Sequence, residues 1–460
     1  MNPRCEPGSL PEGLWLAYYG DDFTGSTDVL EAFTAAGVPT VLFLQAPRAE
    51  DLARFPGVRC VGVAGQSRGK SPAWMRAHLP AVFESLSGLG APIVQYKVCS
   101  TFDSSPEVGS IGQAIDLGVR CTRAPWSPMV VGAPRLQRYQ VFGHLFAAAQ
   151  GEVWRIDRHP TMSRHPVTPM HESDLRLHLA QQTPRRTGLI NLAHMAQGQS
   201  DALWQSLQGA DQPVLMLDVA DTATQREAGR LVWDQRGQGV FSASSSGLQY
   251  ALAEYWRSRG WLPEWPGLPI AQAHDCIGVV SGSCSPMSAA QIDWAEAHGF
   301  LTLRMSVSLC LDPVHADAEI ERLAQQASQA VGQGVSPVIY SARGPDDPAV
   351  QGFDAVAQRL GLDKTQASER IGMALAEVMR RLLDRTPLRR VVVAGGDSSG
   401  AVASHLGIQA FTVAAGMAPG VPLCRAWSDD ARRDGLEIAL KGGQLGQPSF
   451  YGDVRAGRVA

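Results

Sequence analysis

The chain has 460 residues, which is too long for one ordinary core and predicts two domains of roughly 200 residues each. Hydrophobic residues make up 45% and charged residues 18%, a balance that is typical of globular proteins and excludes a largely disordered chain. The formal net charge of -4 predicts no nucleic-acid groove, and the sequence has no run of about 18 apolar residues, so we expect no membrane span.

The eight cysteines are scattered along the chain and include no C-x-x-C pair. The start of the chain, MNPRCEPGSLPEG, lacks the apolar stretch of a signal peptide. We therefore expect a soluble, reduced, cytoplasmic protein and not a secreted one held by disulfides.

The N-terminal half alternates short apolar runs with helical patterns. This order predicts βαβ units, and hence a parallel sheet with right-handed crossovers. The segment around residues 101–170 is rich in proline, glycine and histidine and predicts long functional loops. The predicted elements are strand Leu14–Tyr19, turn Gly20–Gly25, helix Thr27–Ala36, strand Val38–Leu44, strand Val58–Ala64, helix Ala73–Leu86 and strand Ile93–Tyr96.

The C-terminal half repeats this order, so the fold class expected for both halves is α/β. The proline-rich segment Trp261–Ala273 is the best linker candidate. We therefore predict an N-terminal domain over residues 1–262 and a C-terminal domain over residues 275–460. The predicted elements are strand Cys276–Val280, helix Pro286–Ala297, strand Leu301–Met305, strand Val335–Ser341, helix Ala367–Leu383 and strand Arg390–Ala394.

A glycine-rich loop in the C-terminal half carries the strongest single motif. Val391–Gly400 (VVVAGGDSSG) is a strand that ends in two glycines, followed by two serines and a helix. Glycines let the backbone approach a ligand closely, and a helix start offers unpaired N–H groups that suit a phosphate. A tight strand–helix turn without a ligand is the alternative for this motif alone.

Two further loops support a phosphate site. Val279–Ser285 (VVSGSCS) follows a strand and precedes a helix that begins near Pro286. Ala439–Gly446 (ALKGGQLG) places Lys441 before two glycines, as expected for a cation beside phosphates. Spacing alone does not show that the three loops meet.

The N-terminal half carries two polar clusters at predicted strand ends. Asp21 and Asp22 follow the first strand, where open α/β sheets bind ligands, and could orient hydroxyls, hold Mg2+ or act as a base. Helix capping by Asp22 and Thr24 is the equally weighted alternative. The segment Tyr96–Asp103 (YKVCSTFD) combines a cation, hydroxyls and a carboxylate, which suits a polyhydroxy acid, although an exposed polar loop would look similar.

A competing motif in the same half is typical of P-loop NTPases. Ala64–Ser71 (AGQSRGKS) fits a degenerate Walker A pattern, with Lys70 for the phosphates and Ser71 for Mg2+, and Val214–Asp218 resembles a Walker B strand. Pro72 disturbs the helix start that a P-loop needs, which lowers the weight of this alternative.

Taken together, the ordered motifs resemble the four-carbon acid sugar kinase family over nearly the whole chain. Each motif is moderately specific alone, and the ordered set is highly specific. The motifs are GDDFTGSTD (Gly20–Asp28), YKVCSTFDSSPEVGSIG (Tyr96–Gly112), GHLF (Gly143–Phe146), RHPVTPMHESDL (Arg164–Leu175), VVSGSCSPMSAAQI (Val279–Ile292), AGGDSSGAV (Ala394–Val402), APGVP (Ala418–Pro422) and ALKGGQLG (Ala439–Gly446).

The resemblance implies two α/β domains with mainly parallel sheets and an interdomain cleft, the first binding an acid sugar and the second ATP with Mg2+. It implies a cytoplasmic enzyme with small-molecule partners and leaves assembly into homo-oligomers open. The implied acid-sugar residues are Asp21, Asp22, Arg68, Lys97, Ser100, Thr101, Asp103 and His144, with Asp22 and Asp103 as the catalytic candidates. The implied nucleotide residues are Ser283, Ser285, Gly395, Gly396, Asp397, Ser398, Ser399, Gly400, Lys441, Gly442 and Gly443.

The expected reaction is transfer of the ATP γ-phosphoryl group to the 4-hydroxyl of a four-carbon acid sugar such as 3-oxo-tetronate, with Lys97 and Arg68 holding the carboxylate. D-threonate and D-erythronate are the alternative substrates. The family often has an Asn-Gly-Arg stretch before its Gly-His, where this chain has GAPRLQRYQVFGH, so Arg135 or Arg138 is expected to substitute. A two-domain sensor without turnover is the non-enzyme alternative. No metal ligands are assigned from the sequence.

Overall fold

The computed structural model describes residues 10–149, 151–165, 167–207 and 212–459. The start of the chain, on which the signal-peptide prediction rests, and Pro166 of the HPVTPM stretch lie outside these ranges. The chain divides into two compact units, the first ending at Gly267 and the second beginning at Leu268. This division falls inside the proline-rich segment Trp261–Ala273.

The first unit is built from alternating strands and helices. Its strands are β1 (Leu16–Gly20), β2 (Thr40–Phe43), β3 (Cys60–Val63), β4 (Ile93–Lys97), β5 (Ser127–Met129), β6 (Arg138–Val141), β7 (His144–Ala149), β8 (Glu152–Arg155), β9 (Thr187–Ile190), β10 (Val214–Leu217) and β11 (Val240–Ser244). Its helices are α1 (Phe23–Ala35), α2 (Pro72–Gly88), α3 (Ile111–Thr122), α4 (Leu175–Ala180), α5 (Leu192–Ala196), α6 (Ser200–Leu207), α7 (Thr222–Asp234) and α8 (Gly247–Ser258).

The main sheet of the first unit is parallel, with β1 at its centre. The strand order is β11-β4-β1-β3-β2, and every neighbouring pair is parallel. All five residues of β1 are buried, as a sheet covered by helices on both faces requires. The carboxyl ends of β3, β1 and β4 therefore lie side by side, and the loops that follow them are brought together.

The region predicted as long loops, around residues 101–170, holds regular structure as well. Helix α3 lies within it and buries one apolar face. Strands β6, β7 and β8 form a small antiparallel sheet, and β5 pairs with β10, which also pairs with β9, in a second parallel sheet. The loop prediction was wrong here because turn-forming residues in a hairpin sheet look the same in the sequence as those in a loop.

The second unit repeats the alternation and adds a long hairpin. Its strands are β12 (Gly278–Ser281), β13 (Leu301–Arg304), β14 (Pro337–Tyr340), β15 (Arg390–Ala394), β16 (Ile408–Ala418), β17 (Val421–Ser428) and β18 (Glu437–Lys441). Its helices are α9 (Pro286–Ala297), α10 (Val307–Leu311), α11 (Ala316–Gly332), α12 (Pro348–Gln351), α13 (Phe353–Arg359), α14 (Lys364–Arg385), α15 (Gly396–His405) and α16 (Phe450–Ala456).

The sheet of the second unit has the order β16-β17-β18-β15-β12-β14-β13. Strand β17 is antiparallel to both β16 and β18, and the other pairs are parallel. The carboxyl ends of β18, β15 and β12 are thus neighbours. The prediction of two α/β domains with mainly parallel sheets is confirmed, whereas the cleft between them stays a prediction.

Candidate active site

Two aspartates and a lysine meet at the carboxyl end of the central strand of the first unit. Gly20, the last residue of β1, is in register with Lys97, the last residue of β4, and the Asp21 N–H donates to the Lys97 carbonyl at 2.9 Å. Asp21 and Lys97 are both buried, with exposed fractions of 3% and 2%. Asp22 caps helix α1 by accepting from the Gly25 N–H at 2.8 Å, which is the capping role considered for it.

Arg68 joins this cluster from the loop after β3. Its Nη2 donates to Asp21 Oδ1 and to Asp22 Oδ1, both at 2.7 Å, and its Nε donates to Asp21 Oδ2 at 3.1 Å. Burial lowers the pKa of Arg68, but the two carboxylates raise it by more. The pKa of Arg68 is therefore well above its usual value. Burial raises the pKa of Asp21 although Arg68 opposes it. The guanidinium therefore holds both aspartates in one fixed arrangement.

Lys97 forms an ion pair with Asp28, a residue that was not predicted as part of the site. Its Nζ lies 3.4 Å from Asp28 Oδ2 on helix α1. A Cβ added at Gly25 would lie 2.3 Å from Asp22 Oδ1, 3.1 Å from Lys97 Nζ and 3.5 Å from Arg68 Nη2. Asp28 stands one helical turn beyond Gly25, and this i, i+3 spacing within GDDFTGSTD is the signal that could have identified it.

The loop after β4 adds hydroxyl and carboxylate groups. Thr101 Oγ1 donates to Asp103 Oδ1 at 2.7 Å and lies 2.9 Å from Cys99 Sγ. Burial alone would raise the pKa of Asp103. The charge of Arg68 and the hydrogen bond from Thr101 lower it by more, so the net shift of the pKa is downward. Phe102 has a φ of 58°, a strained conformation for a bulky residue that often accompanies a functional loop. Ser100 lies in this loop and is half-buried.

His144 lies on a different sheet, at the start of β7. Its Nδ1 is 2.9 Å from Ser173 Oγ. The preceding turn is held by Asp218, which accepts from the Phe142 N–H at 2.5 Å and the Gly143 N–H at 3.0 Å. Asp218 therefore stabilises this turn, and its contacts are not those expected of a Walker B carboxylate.

The Walker-like segment also has structural contacts. A Cβ on Gly65 would lie 2.1 Å from the Gly20 carbonyl oxygen, so glycine is needed for close packing. Ser71 caps helix α2 by accepting from the Trp74 N–H at 3.3 Å, and Lys70 Nζ lies 5.8 Å from the centroid of the Trp74 ring. The residue of this segment that reaches the polar cluster is Arg68.

The three glycine loops of the second unit come together because β12, β15 and β18 are adjacent. The Gly282 N–H donates to the Ala394 carbonyl at 3.0 Å, and the Gly395 N–H donates to the Lys441 carbonyl at 2.9 Å. Gly395 has a φ of 121°, which only glycine adopts readily, and it directly precedes helix α15. Strand order thus supplies the convergence that spacing alone left undecided.

The first and third loops are fastened to each other by serines. Ser285 Oγ donates to the Gly443 carbonyl at 2.6 Å, and Ser288 Oγ donates to the same oxygen at 3.2 Å. A Cβ on Gly443 would lie 2.3 Å from Ser283 Oγ. Gln291 Nε2 donates to the Leu445 and Gln447 carbonyls. Neither Ser288 nor Gln291 was predicted as a site residue, although both lie on the face of α9 that continues from Ser285.

The start of α15 combines exposed and buried groups. Gly396 and Asp397 are exposed, whereas Ser398 and Ser399 are buried. Ser399 Oγ donates to the Gly395 carbonyl at 2.8 Å, which leaves that hydroxyl engaged with the backbone. Gly400 and Gly442 complete the two loops, one inside the first turns of α15 and the other directly after β18. The backbone N–H groups at this helix start are those that a phosphate would approach.

Lys441, the last residue of β18, is fully buried beneath these loops. Its Nζ donates to the Gly443 carbonyl at 3.5 Å and lies 6.0 Å from the centroid of the Phe450 ring. Burial lowers the pKa of Lys441 to about 8. A buried ammonium with one long hydrogen bond is poorly compensated, and an anion next to it would restore a high pKa.

Comparison with known proteins matches each unit to a domain of established type. Residues 16–252 match a sugar-binding N-terminal domain, and residues 279–451 match a nucleotide-binding C-terminal domain. The chain belongs to the four-carbon acid sugar kinase family. The resemblance inferred from the motifs is thereby confirmed, and the Walker-like segment falls in the sugar-binding domain of this kinase, which argues against the P-loop alternative.

Curated relatives of this kinase match over almost its full length. The chain is 63% identical to 3-oxo-isoapionate kinase of Paraburkholderia graminis, covering 98% of this chain and 96% of the relative. It is 31% identical to 3-oxo-tetronate kinase of Methylobacterium radiotolerans, covering 95% and 98%. A solved Salmonella typhimurium LT2 protein described as a tRNA synthase has a TM-score of 0.75 at 26% identity, covering 95% and 97%.

These matches establish a phosphotransferase enzyme for which ATP is the phosphate donor. The predictions of a kinase and of separate sugar- and nucleotide-binding domains are confirmed, and the sensor alternative is not supported. Across the residues described by the structure, no helix combines the length and the apolar character that a bilayer span requires.

Proposed function

We propose that this kinase phosphorylates the terminal hydroxyl of a 3-oxo sugar acid and that 3-oxo-isoapionate is its substrate. The observation that carries this proposal is the 63% identity to 3-oxo-isoapionate kinase over nearly the whole chain. The second candidate is 3-oxo-tetronate, the substrate expected from the CSTFD loop and named in relatives that are 28% to 31% identical.

In this proposal the acid sugar binds at the polar cluster of the first unit, where Lys97 and Arg68 hold its carboxylate and the aspartates lie beside its hydroxyl groups. The substrate hydroxyl oxygen attacks the γ-phosphorus, the bond to the β,γ-bridging oxygen breaks, ADP leaves, and the hydroxyl proton passes to a carboxylate. Asp22 and Asp103 are the proton acceptors proposed for this step. The lowered pKa of Asp103 keeps it ionised, as a proton acceptor must be, and the side chain of Asp22 is partly exposed.

The glycine loops of the second unit would bind the ATP phosphates. The N–H groups at the start of α15 and the flexible backbone around Gly395 and Gly443 support this role. Lys441 supports it further because a phosphate would compensate its poorly solvated charge. The remaining predicted nucleotide residues line the same loops and are proposed as backbone contacts.

Magnesium is proposed as the ion that accompanies ATP. Over the described parts of the chain, no group of three or more His, Cys, Asp or Glu side chains is arranged to hold a metal ion. Magnesium usually binds through one or two carboxylates together with phosphates and water, and the exposed Asp397 fits that pattern. When bound, the ion would neutralise phosphate charge.

A coupled ADP-release assay tests this proposal. The purified chain is assayed with 3-oxo-isoapionate, 3-oxo-tetronate, D-threonate and D-erythronate, and we expect the highest kcat/KM with 3-oxo-isoapionate. Asp22→Asn and Asp103→Asn identify the proton acceptor, because loss of a general base lowers kcat by about 10²- to 10⁴-fold. ADP release that none of the acids stimulates would overturn the proposal.

A further inference from the structure

The loop that carries Thr101 and Asp103 depends on a strained residue between them. Phe102 has a φ of 58°, and its side chain is fully buried. A bulky residue keeps this left-handed conformation only where the surrounding structure imposes it. The backbone angles of Phe102 set the direction in which the chain leaves it, so the groups that hold Phe102 also place the carboxylate of Asp103.

Ser104, on the other side of Asp103, holds this conformation through its hydroxyl. Ser104 Oγ donates to the Phe102 carbonyl at 3.1 Å, accepts from Gln182 Nε2 at 2.9 Å and lies 3.0 Å from His178 Nε2. A hydroxyl has one proton to donate and two lone pairs that accept, so all three contacts are hydrogen bonds when the neutral His178 ring carries its proton on Nε2. Ser104 is buried, and its hydroxyl is therefore bound by protein groups and not by bulk water.

Two helices fix the side chains that bind Ser104. His178 lies in α4, and Gln182 follows two residues after the end of that helix. Gln182 Oε1 accepts from the Gly112 N–H at 3.2 Å, in the first turn of α3. A Cβ on Gly112 would lie 2.6 Å from the Gln182 carbonyl oxygen, so the two segments are in close contact. Ser104 is therefore bound to groups whose own positions are set by α3 and α4.

The ring of His178 also contacts Phe102 directly. The centroids of the two rings are 5.8 Å apart and their planes meet at 64°, an edge-to-face arrangement that aromatic pairs favour. Burial lowers the pKa of His178 to about 4, so its ring is neutral at pH 7 and serves as a hydrogen-bond donor. His178 therefore contacts the residue before Asp103 through its ring face and the residue after it through Nε2.

We infer that His178 is a positioning residue that holds Asp103 in place for phosphoryl transfer to the acid sugar, an inference that rests on the proposed function. The two contacts of His178 act on the residues directly before and after Asp103, and so constrain this carboxylate from both sides. A group held in this way stays close to the geometry that the reaction needs, and a displacement of about 1 Å can lower a rate about 100-fold. Asp103 contacts the substrate in this assignment, and His178 acts through it.

His178→Leu tests this role because it removes the hydrogen bond and the ring but keeps an apolar side chain. We expect kcat with the acid to fall by about 10- to 100-fold and KM for ATP to stay at the wild-type value. His178→Gln should recover most of kcat, because its amide offers an N–H donor near the position of Nε2. The matched control is His159→Leu, which changes a buried histidine of the same unit whose Nδ1 accepts from the Thr161 and Met162 N–H groups within its own turn. This control should lower Tm and leave kcat unchanged.

A double variant separates positioning from a general loss of stability. If His178 acts through Asp103, His178→Leu should lower kcat by less than about threefold in an Asp103→Asn background, because residues that act as a unit are not additive. Ser104→Ala removes the same hydrogen bond with a smaller change of volume and should show the same pattern. A wild-type kcat in both His178→Leu and Ser104→Ala, or an equal loss with and without the Asp103 carboxylate, would overturn the inference and leave the proposed function intact. A wild-type kcat in Asp103→Asn would overturn the catalytic role proposed for Asp103 and this inference with it.

Discussion

Replacement of the buried Lys441 by methionine should stabilise the protein and weaken ATP binding. Burial lowers the pKa of this lysine from 10.5 to about 8. One pKa unit corresponds to about 1.4 kcal/mol, so keeping the ammonium charged at pH 7 costs the folded state about 3 kcal/mol. Methionine fills a similar volume without a charge, and the free energy of unfolding of Lys441→Met should exceed that of the wild type by about 1 to 3 kcal/mol at pH 7.

The sign of this effect predicts its pH dependence. Between pH 8 and pH 10.5 the unfolded lysine binds more protons than the folded one, so this group makes the wild type more stable as the pH rises through that window. The advantage of Lys441→Met should therefore shrink from pH 7 towards pH 10. Urea unfolding of both proteins at several pH values measures this difference.

The same variant tests the role of Lys441 in binding. Isothermal titration with ATP should show an affinity about 10- to 150-fold below that of the wild type, since one charge-assisted contact is lost. Lys70→Met is the matched control and should bind ATP as the wild type does. A Lys441→Met protein that is less stable at every pH would refute the burial argument, and ATP affinity lost in Lys70→Met but not in Lys441→Met would refute the assignment of the nucleotide loops.

Three further predictions concern close approaches and the hairpin turn. Gly25→Ala, whose Cβ would lie 2.3 Å from Asp22 Oδ1, should lower kcat/KM for the acid at least about tenfold without weakening ATP binding. Gly443→Ala, whose Cβ would lie 2.3 Å from Ser283 Oγ, should raise KM for ATP about tenfold with the acid KM unchanged. Asp218→Ala leaves two turn N–H groups without their acceptor and should lower the free energy of unfolding by about 2 to 4 kcal/mol, with ATP affinity at the wild-type value.

Each of these variants has a control or a result that contradicts it. Gly88→Ala and Gly332→Ala, where an added Cβ meets nothing within 4 Å, serve as the glycine controls and should leave both KM values unchanged. If either glycine variant changed the KM for the acid and the KM for ATP together, the separation of the two sites would be contradicted. Loss of ATP affinity in Asp218→Ala would revive the Walker B interpretation.

Local sequence patterns were sufficient to predict most of the central strands and helices. The predicted helix Pro286–Ala297 and strand Arg390–Ala394 coincide with α9 and β15, because proline at a helix start and a continuous apolar run act over a few residues. The strands β16 and β17 and the hairpin sheet were missed. Their pairing depends on partners and on turns whose composition is also that of loops.

The sequence by itself determined the residue types of both candidate sites: carboxylates after β1, hydroxyls after β4, and glycines with serines after β12 and β15. Only the tertiary structure decided which of these groups meet. Arg68 lies 47 positions from Asp21 and contacts it because β3 and β1 are adjacent. Ser285 bonds the backbone of Gly443, 158 positions away, because their loops follow β12 and β18, the two neighbours of β15. Such contacts depend on strand order, which no local pattern encodes.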